Sequence, residues 1–301
     1  MTRLLNRVKV YWLYFYEFLR FAEFDSAING ALYTLTRKSY SSGKRINSRL
    51  GVFETRRGTL DFVYVNYAYE VDLKHFIEAH SFEVFFDVGA CIGEYSVWLA
   101  QNGYRCFTFE PVQSSYEILT KNIALNKVEN NITAFNYGLG EKPSIEHFKL
   151  HPVNPGASRR VDCGTAHTAK VEIKTLDEVY PTLNLDPSAK ILVKIDIEGM
   201  EVAMLKGAER FLKHFNNVTL IIEEKITGSQ QIMDTLNAFG TFQYGVVDNY
   251  NMYAKKVSSL TEVNAVKSMV SDESAAPASP TFHGLHPVTI DTGKNHAAGK
   301  N

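Results

Sequence analysis

Acidic residues recur in this sequence where an α/β sheet would use them. Asp87 follows the apolar run VFF and leads into Gly89 and Gly93 within FFDVGACIGEYS. Glu110 follows CFTF, Asp196 and Glu198 sit in ILVKIDIEG, and Glu223 and Glu224 end TLIIEE. Each run reads as a buried strand, so these acids stand at the carboxyl ends of strands, where open α/β sheets bind ligands. So many acids at one rim are costly unless something cationic meets them.

The glycine turn narrows the ligand. Gly89 permits a tight turn, and Gly93 opens a helix whose unpaired N–H groups and positive dipole end face the ligand. The spacing is Asp-x-Gly-x-Cys-x-Gly rather than the GxGxxG of a dinucleotide site. It lacks the dense nest of amides that suits a pyrophosphate, and it suits a ligand with carboxylate and ammonium groups. Glu110 lies about 20 residues beyond the turn, where doubly wound folds place an acid for ribose hydroxyls. A ribose, no diphosphate and a cationic amino-acid end describe S-adenosylmethionine. Its sulfonium and ammonium also answer the acidic rim.

Methyl transfer to an alcohol needs the acceptor oxygen close and aligned, and a carboxylate or His to take its proton. Asp196 and Glu198 are two apart, so both are expected to leave their strand on one face. Asp196 is the first candidate for base or acceptor-fixing group, followed by Glu198 and Glu223. Glu198 could instead cap beside Gly199, and Glu201 reads as a first-turn helix acid. His147, His151 and His167 are further candidate bases if their segment closes over the site. Arg159 and Arg160 read as exposed charge that could also meet an anionic acceptor. Oxygen-only ligands would suit Mg²⁺, but the spacings match no set metal motif and no metal is assigned.

These residues need a scaffold. From Val84 onward, strands FFDVGA, CFTFEP, ITAFNYG, ILVKIDIEG and TLIIEE alternate with helices at Gly93–Ala100, Ser114–Asn126, Met200–His214 and Gln230–Phe239. That alternation predicts a mostly parallel, doubly wound sheet covered on both faces, closed at one edge by FQYGVVDN and MYAKK. Upstream, VFETRRGTLDF predicts a hairpin turning at Arg57-Gly58, then a short helix near Asp72–His80. His147–Lys174 reads as a long Pro-, Gly- and Arg-containing loop of the kind that serves as a lid. The boundaries expected are an N-terminal helical extension over 1–50, a catalytic domain over 51–256 and a disordered tail over 257–301, where SDESAAPASP and TGKNHAAGKN lack periodicity.

Composition bounds the function. The 301 residues carry a net charge of −1, so no global basic surface calls for nucleic acid. Three cysteines, Cys91, Cys106 and Cys163, show no metal spacing, which argues against a disulfide framework or zinc site and fits a reducing, cytoplasmic location. VYWLYFY (10–16) is far shorter than the ~20 residues a spanning helix needs. It reads as an aromatic amphipathic helix, packed on the domain or a partner, or lying at a membrane surface.

FDVGACIGEYS, FEPVQSSYEILTKNIALN, NYGLG, NPGAS, KTLDEVY and, above all, VKIDIEGMEVAMLKGAERFL followed by IIEE resemble the FkbM family of S-adenosylmethionine-dependent methyltransferases over about 58–224. The resemblance implies a class I, Rossmann-like methyltransferase fold and an acceptor hydroxyl, often on a sugar, glycan or polyketide. It implies cofactor contacts at Ala90, Pro111, Asn136 and Gly138 beside Asp87, Gly89, Gly93, Glu110 and Asp196. Cys91 departs from the family, which commonly has Asn there. Two other readings remain. A scaffold that binds the cofactor without turnover would have lost the chemistry while keeping Asp87, Glu110 and Asp196. A nucleic-acid methyltransferase lacks support from any [ND]-P-P-[YF] motif.

Overall fold

The computed structural model describes residues 12–165 and 168–257. The first strands are β1 (Arg45–Ser48), β2 (Gly51–Glu54), β3 (Val84–Val88), β4 (Arg105–Phe109) and β5 (Ile132–Phe135). Next come β6 (Gly138–Leu139), β7 (Ser144–Lys149), β8 (Arg159–Val161) and β9 (Thr168–Lys174). The last are β10 (Ile191–Ile195), β11 (Val218–Glu223), β12 (Phe242–Val246) and β13 (Asn251–Lys256).

The main sheet runs β12-β13-β11-β10-β3-β4-β5. It is parallel from β11 to β5, and β13 is antiparallel to both β11 and β12. Every residue of β3 and β10 is buried, as expected of central strands covered on both faces. One apolar cluster unites Phe85, Ile92 and Leu119 with the N-terminal segment; a second joins Phe86, Leu205, Phe211 and Ile232 on the opposite face. The chain leaves β3 toward β4 and β5 and resumes on the other side with β10. The order therefore reverses between β3 and β10, the switch point where such sheets bind ligands. This is the doubly wound class I methyltransferase arrangement.

Three expectations need correction. His147–Lys174 is not a loop: β7 pairs antiparallel with β8 and β9, and β9 pairs parallel with β6, giving a second, four-stranded sheet. Phe148, Val171 and Ile173 pack with Val112 and Met200 beneath it. The Pro/Gly-rich stretch between the strands hid their alternation. The hairpin is β1–β2, with Ser48 opposite Gly51; Arg57-Gly58 instead leads into the helix Asp61–Tyr64. The helix expected over Met200–His214 is two, Glu201–Lys206 and Glu209–His214. A Cβ at Gly207 would lie 1.9 Å from the Gly140 carbonyl oxygen, so close backbone contact breaks the helix there. The predicted tail beyond 257 and His167 lie outside the described residues.

Candidate active site

Gly89 follows β3 with φ +90°, and a Cβ there would stand 1.9 Å from the Asp196 carbonyl oxygen. Only glycine lets the β3 turn lie against the end of β10. The Gly89 and Ala90 N–H groups donate to the Phe109 carbonyl at 3.0 and 3.1 Å. Glu110 accepts from the Cys91 and Val112 N–H groups, each at 2.8 Å. One carboxylate thus fixes both loops, while each oxygen keeps capacity for another donor. Burial pushes Glu110 up to about 7 against the pull of those two N–H bonds.

Asp87 and Lys194 are opposite one another in the β3–β10 register. The Lys194 ammonium is 3.0 Å from Asp196 Oδ2, although Lys194 is buried in the sheet. Burial alone would lower its pKa, but Asp196, Asp87, Glu70 and Glu94 together raise it. Asp87 Oδ2 accepts from Ser96 Oγ at 2.6 Å. Asp87 Oδ1 and Glu94 Oε2 are buried without a partner, and burial followed by the Asp87 charge pushes Glu94 up to about 8. A second buried lysine, Lys74, also faces Glu70 and Glu94, whose charges oppose the fall that burial imposes on it.

Turn geometry rather than strand alternation gathers the remaining acids. β10 ends at Ile195, and Glu198 and Gly199 adopt φ of 51° and 99°. Glu201 holds this turn: Oε1 accepts from the Ile197 and Gly199 N–H groups at 3.3 and 3.0 Å, and Oε2 accepts from the Thr227 hydroxyl. The capping considered for Glu198 therefore belongs to Glu201, and Glu198 is free to join the site. Carboxylate oxygens of Asp196, Glu198 and Glu223 lie within 4.8 Å of one another, close enough to share one cation. Burial and then the Asp196 charge raise Glu198 to about 7; burial and the charges of Asp196 and Glu198 push Glu223 well above the carboxylate range.

Two connected clefts meet at Gly89, Cys91, Gly156, Asp196 and Glu198. The charged one adds Glu70, Glu94, Lys194, Glu223 and Lys225. The apolar one adds Pro111, Val112, Leu139, Phe148, Ile173 and Met200 around Glu110, with Gly138 at its wall. A Gly138 Cβ would crowd Ile173 Cδ1 at 2.8 Å. Gly156 roofs both clefts, and the Tyr64 hydroxyl donates to Asn154 Oδ1, tying down this roof. About 70 and 50 Å³ remain open beneath it, whereas a nucleoside-sized ligand needs roughly 300 Å³ or more.

Not every expected residue reaches these walls. Asp87 and Ala90 lie behind them. Gly93 packs on Leu119, whose Cδ1 would be 2.3 Å from an added Cβ. The Asn136 amide donates to the Glu110 carbonyl at 2.9 Å, bracing that loop. His151 Nδ1 accepts from the Asn154 N–H at 2.8 Å, so it shapes the roof, and His147 Nδ1 is buried without a partner. Neither histidine is a cleft-lining residue. Arg159 and Arg160 are exposed on β8, with Arg159 near enough to oppose the rise at Glu198. Sequence reasoning missed Glu70, Tyr64 and Lys225. It also missed Arg56, which grips Asp61 at 2.8 and 2.9 Å and reaches Cys91 Sγ at 3.6 Å. The lysine preceding Asp196 by two was the available signal for Lys194.

The residues fit S-adenosylmethionine. An apolar cleft suits an adenine, Glu110 suits ribose hydroxyls, and unpaired buried acids suit the cationic end. The fold and site define a class I methyltransferase domain. The family model described as methyltransferase FkbM domain matches residues 87–243, more than half the chain, and the chain belongs to that family. It is 27% identical over 168 residues to methyltransferase sdnD of Sordaria araneosa, covering 46% of this chain and 64% of that protein. It is 28% identical over 147 residues to the hexuronic acid methyltransferase AglP of Haloferax volcanii, covering 48% and 58%. The chain thus spans about three fifths of these relatives. The crystal structure of methyltransferase FkbM from Methylobacillus flagellatus superposes with a TM-score of 0.42 at 19% identity, covering 64% of this chain and 53% of that one.

Proposed function

We propose that this protein is an S-adenosylmethionine-dependent O-methyltransferase acting on a hydroxyl of a sugar, glycan or related small molecule. The observation that carries the reading is the Asp196–Glu198–Glu223 cluster beside the Gly89–Glu110 cleft. When bound, the cofactor supplies an electrophilic methyl group on a positively charged sulfur. Gly89, Glu110, Pro111 and Gly138 would hold its nucleoside part, and Glu94 and Asp87 would answer its positive charge.

Two carboxyls with different protonation suit the acceptor. Glu223, pushed well above the carboxylate range, carries a proton at neutral pH and donates a hydrogen bond to an acceptor oxygen. Asp196, held by Lys194, takes the proton that the reacting hydroxyl loses. Gly156 and Tyr64, which line the cleft, help to keep water from the reacting atoms. The sugar preference is supported by the name of the AglP relative, and Lys225 at the cleft offers a counter-charge to an acidic sugar.

The test is transfer of a labelled methyl group from S-adenosylmethionine to a panel of sugars, including hexuronic acids and neutral hexoses. Labelled methyl ether on a sugar supports the reading. Cofactor binding with no transfer to any acceptor would favour the scaffold alternative.

A further inference from the structure

The N-terminal helices present their apolar residues outward. In the helix over 12–20, Trp12, Phe15, Tyr16 and Leu19 are exposed while Tyr14 and Phe18 are buried. That i, i+3, i+4, i+7 spacing is a single helix face, and it points to solvent. The helix Phe24–Thr36 does the same with Phe24, Ile28, Leu32 and Leu35. Trp12 is 63% exposed and Leu35 81%, far from the scattered apolar exposure of an ordinary surface. A groove of about 500 Å³, lined by Trp12, Phe15, Ala31 and Leu35 among others, runs between the helices.

Charge says what covers this surface. Residues 1–45 contain eight Lys or Arg and three Asp or Glu, a net +5; the rest of the chain contains 24 and 30, a net −6. Arg20, Arg37 and Lys38 are exposed around the apolar faces. The acids there do not offset them on the outer face: Glu23 is buried and accepts from the Asn47 N–H at 2.8 Å, Asp25 binds Lys44 at 2.8 Å, and Glu17 is buried, with Oε2 unpartnered. Outward apolar faces rimmed by cations are the pattern of a helix lying in a lipid interface. A protein partner or second copy would need acidic complementarity, and the N-terminal segment offers a second copy mainly positive charge. No helix among the described residues is long and apolar enough to cross a membrane.

We propose that the outward faces of the helices at 12–20 and Phe24–Thr36 dock this protein on an anionic lipid surface. The inference does not depend on the acceptor. Phe62 and Val63 line the apolar groove and Tyr64 lines the charged cleft, so the docked surface and the site share one short helix.

The test is co-sedimentation of the full chain with phosphatidylcholine vesicles, alone or with about 30% phosphatidylglycerol. Trp12 fluorescence is followed in parallel; the other tryptophan, Trp98, is buried at 7% and stays silent. The expected results are roughly tenfold or greater partitioning onto anionic vesicles, weakening with salt, and a blue shift of Trp12. Leu19→Glu/Ile28→Glu should abolish both with unchanged circular dichroism. Equal binding by that variant, or no preference for anionic vesicles, would overturn the proposal. So would a wild-type dimer in light scattering that the same variant converts to monomer.

Discussion

The Lys194 ammonium lies 3.0 Å from Asp196 Oδ2, in register with Asp87 on the neighbouring strand. One buried cation thus holds together acids from two central strands at the switch point of the sheet. Removing this buried cation leaves the buried Asp87 and Glu94 carboxyls uncompensated. Lys194→Met should lower folding stability by about 3 kcal/mol or more, measured by urea denaturation. Lys194→Arg should recover part of the loss. A change below about 1 kcal/mol would mean the pair is solvated like a surface bridge.

Asp196→Asn keeps the shape and removes the base. The expected result is a fall in kcat of about 10²–10⁴ with cofactor affinity changed only a few-fold, seen in steady-state kinetics once an acceptor is found. An unchanged kcat would transfer the role to Glu198 or to the acceptor itself.

The main sheet was legible because β3 and β10 are buried on every residue and each is followed within four residues by a glycine, Gly89 or Gly199. Asp196, Glu198 and Glu223 come together, though by the positive φ at Glu198 and Gly199 rather than by strand alternation, and a turn of that kind has no period to read. The small sheet escaped because Pro155 and Gly156 dominate the middle of its sequence. Tyr64, Glu70 and Arg56 join the site only through packing between distant segments, which no local pattern records.

Stability should depend on pH through Glu94 and Glu110, raised to about 8 and about 7 from an ordinary 4.5. The folded state binds more protons than the unfolded state between these values. Stability is therefore highest below about pH 4.5 as far as these two groups go and is lost as pH rises to 7 and 8. Thermal unfolding without cofactor should fall from pH 5 to 8, and Glu94→Gln should flatten the decline. A slope unaltered in Glu94→Gln would remove that residue from the cause.

Glu201→Gln should loosen the 196–200 turn, because Glu201 binds both the Ile197 and Gly199 N–H groups. A loss of about 1–3 kcal/mol is expected for a buried charged acceptor serving backbone donors, readable in denaturant melts, with a fall in activity as Asp196 and Glu198 lose position. Full stability would show that Thr227 or water substitutes.

Chelation addresses the carboxylate cluster. With Glu223 protonated, Lys194, Lys225 and the cofactor's own charges are enough to balance Asp196 and Glu198, so methyl transfer should persist in excess EDTA. Activity lost in EDTA and restored by Mg²⁺ would make the same cluster a cation site.

The most direct measurement is calorimetric titration of the full chain with S-adenosylmethionine and S-adenosylhomocysteine, with NAD as control and Glu110→Ala alongside. Micromolar binding of both sulfur ligands is expected, with none of NAD and affinity reduced roughly tenfold or more in the variant, since the ribose hydroxyls lose a charged acceptor. Heat from NAD and none from either sulfur ligand would contradict the cofactor reading at its foundation.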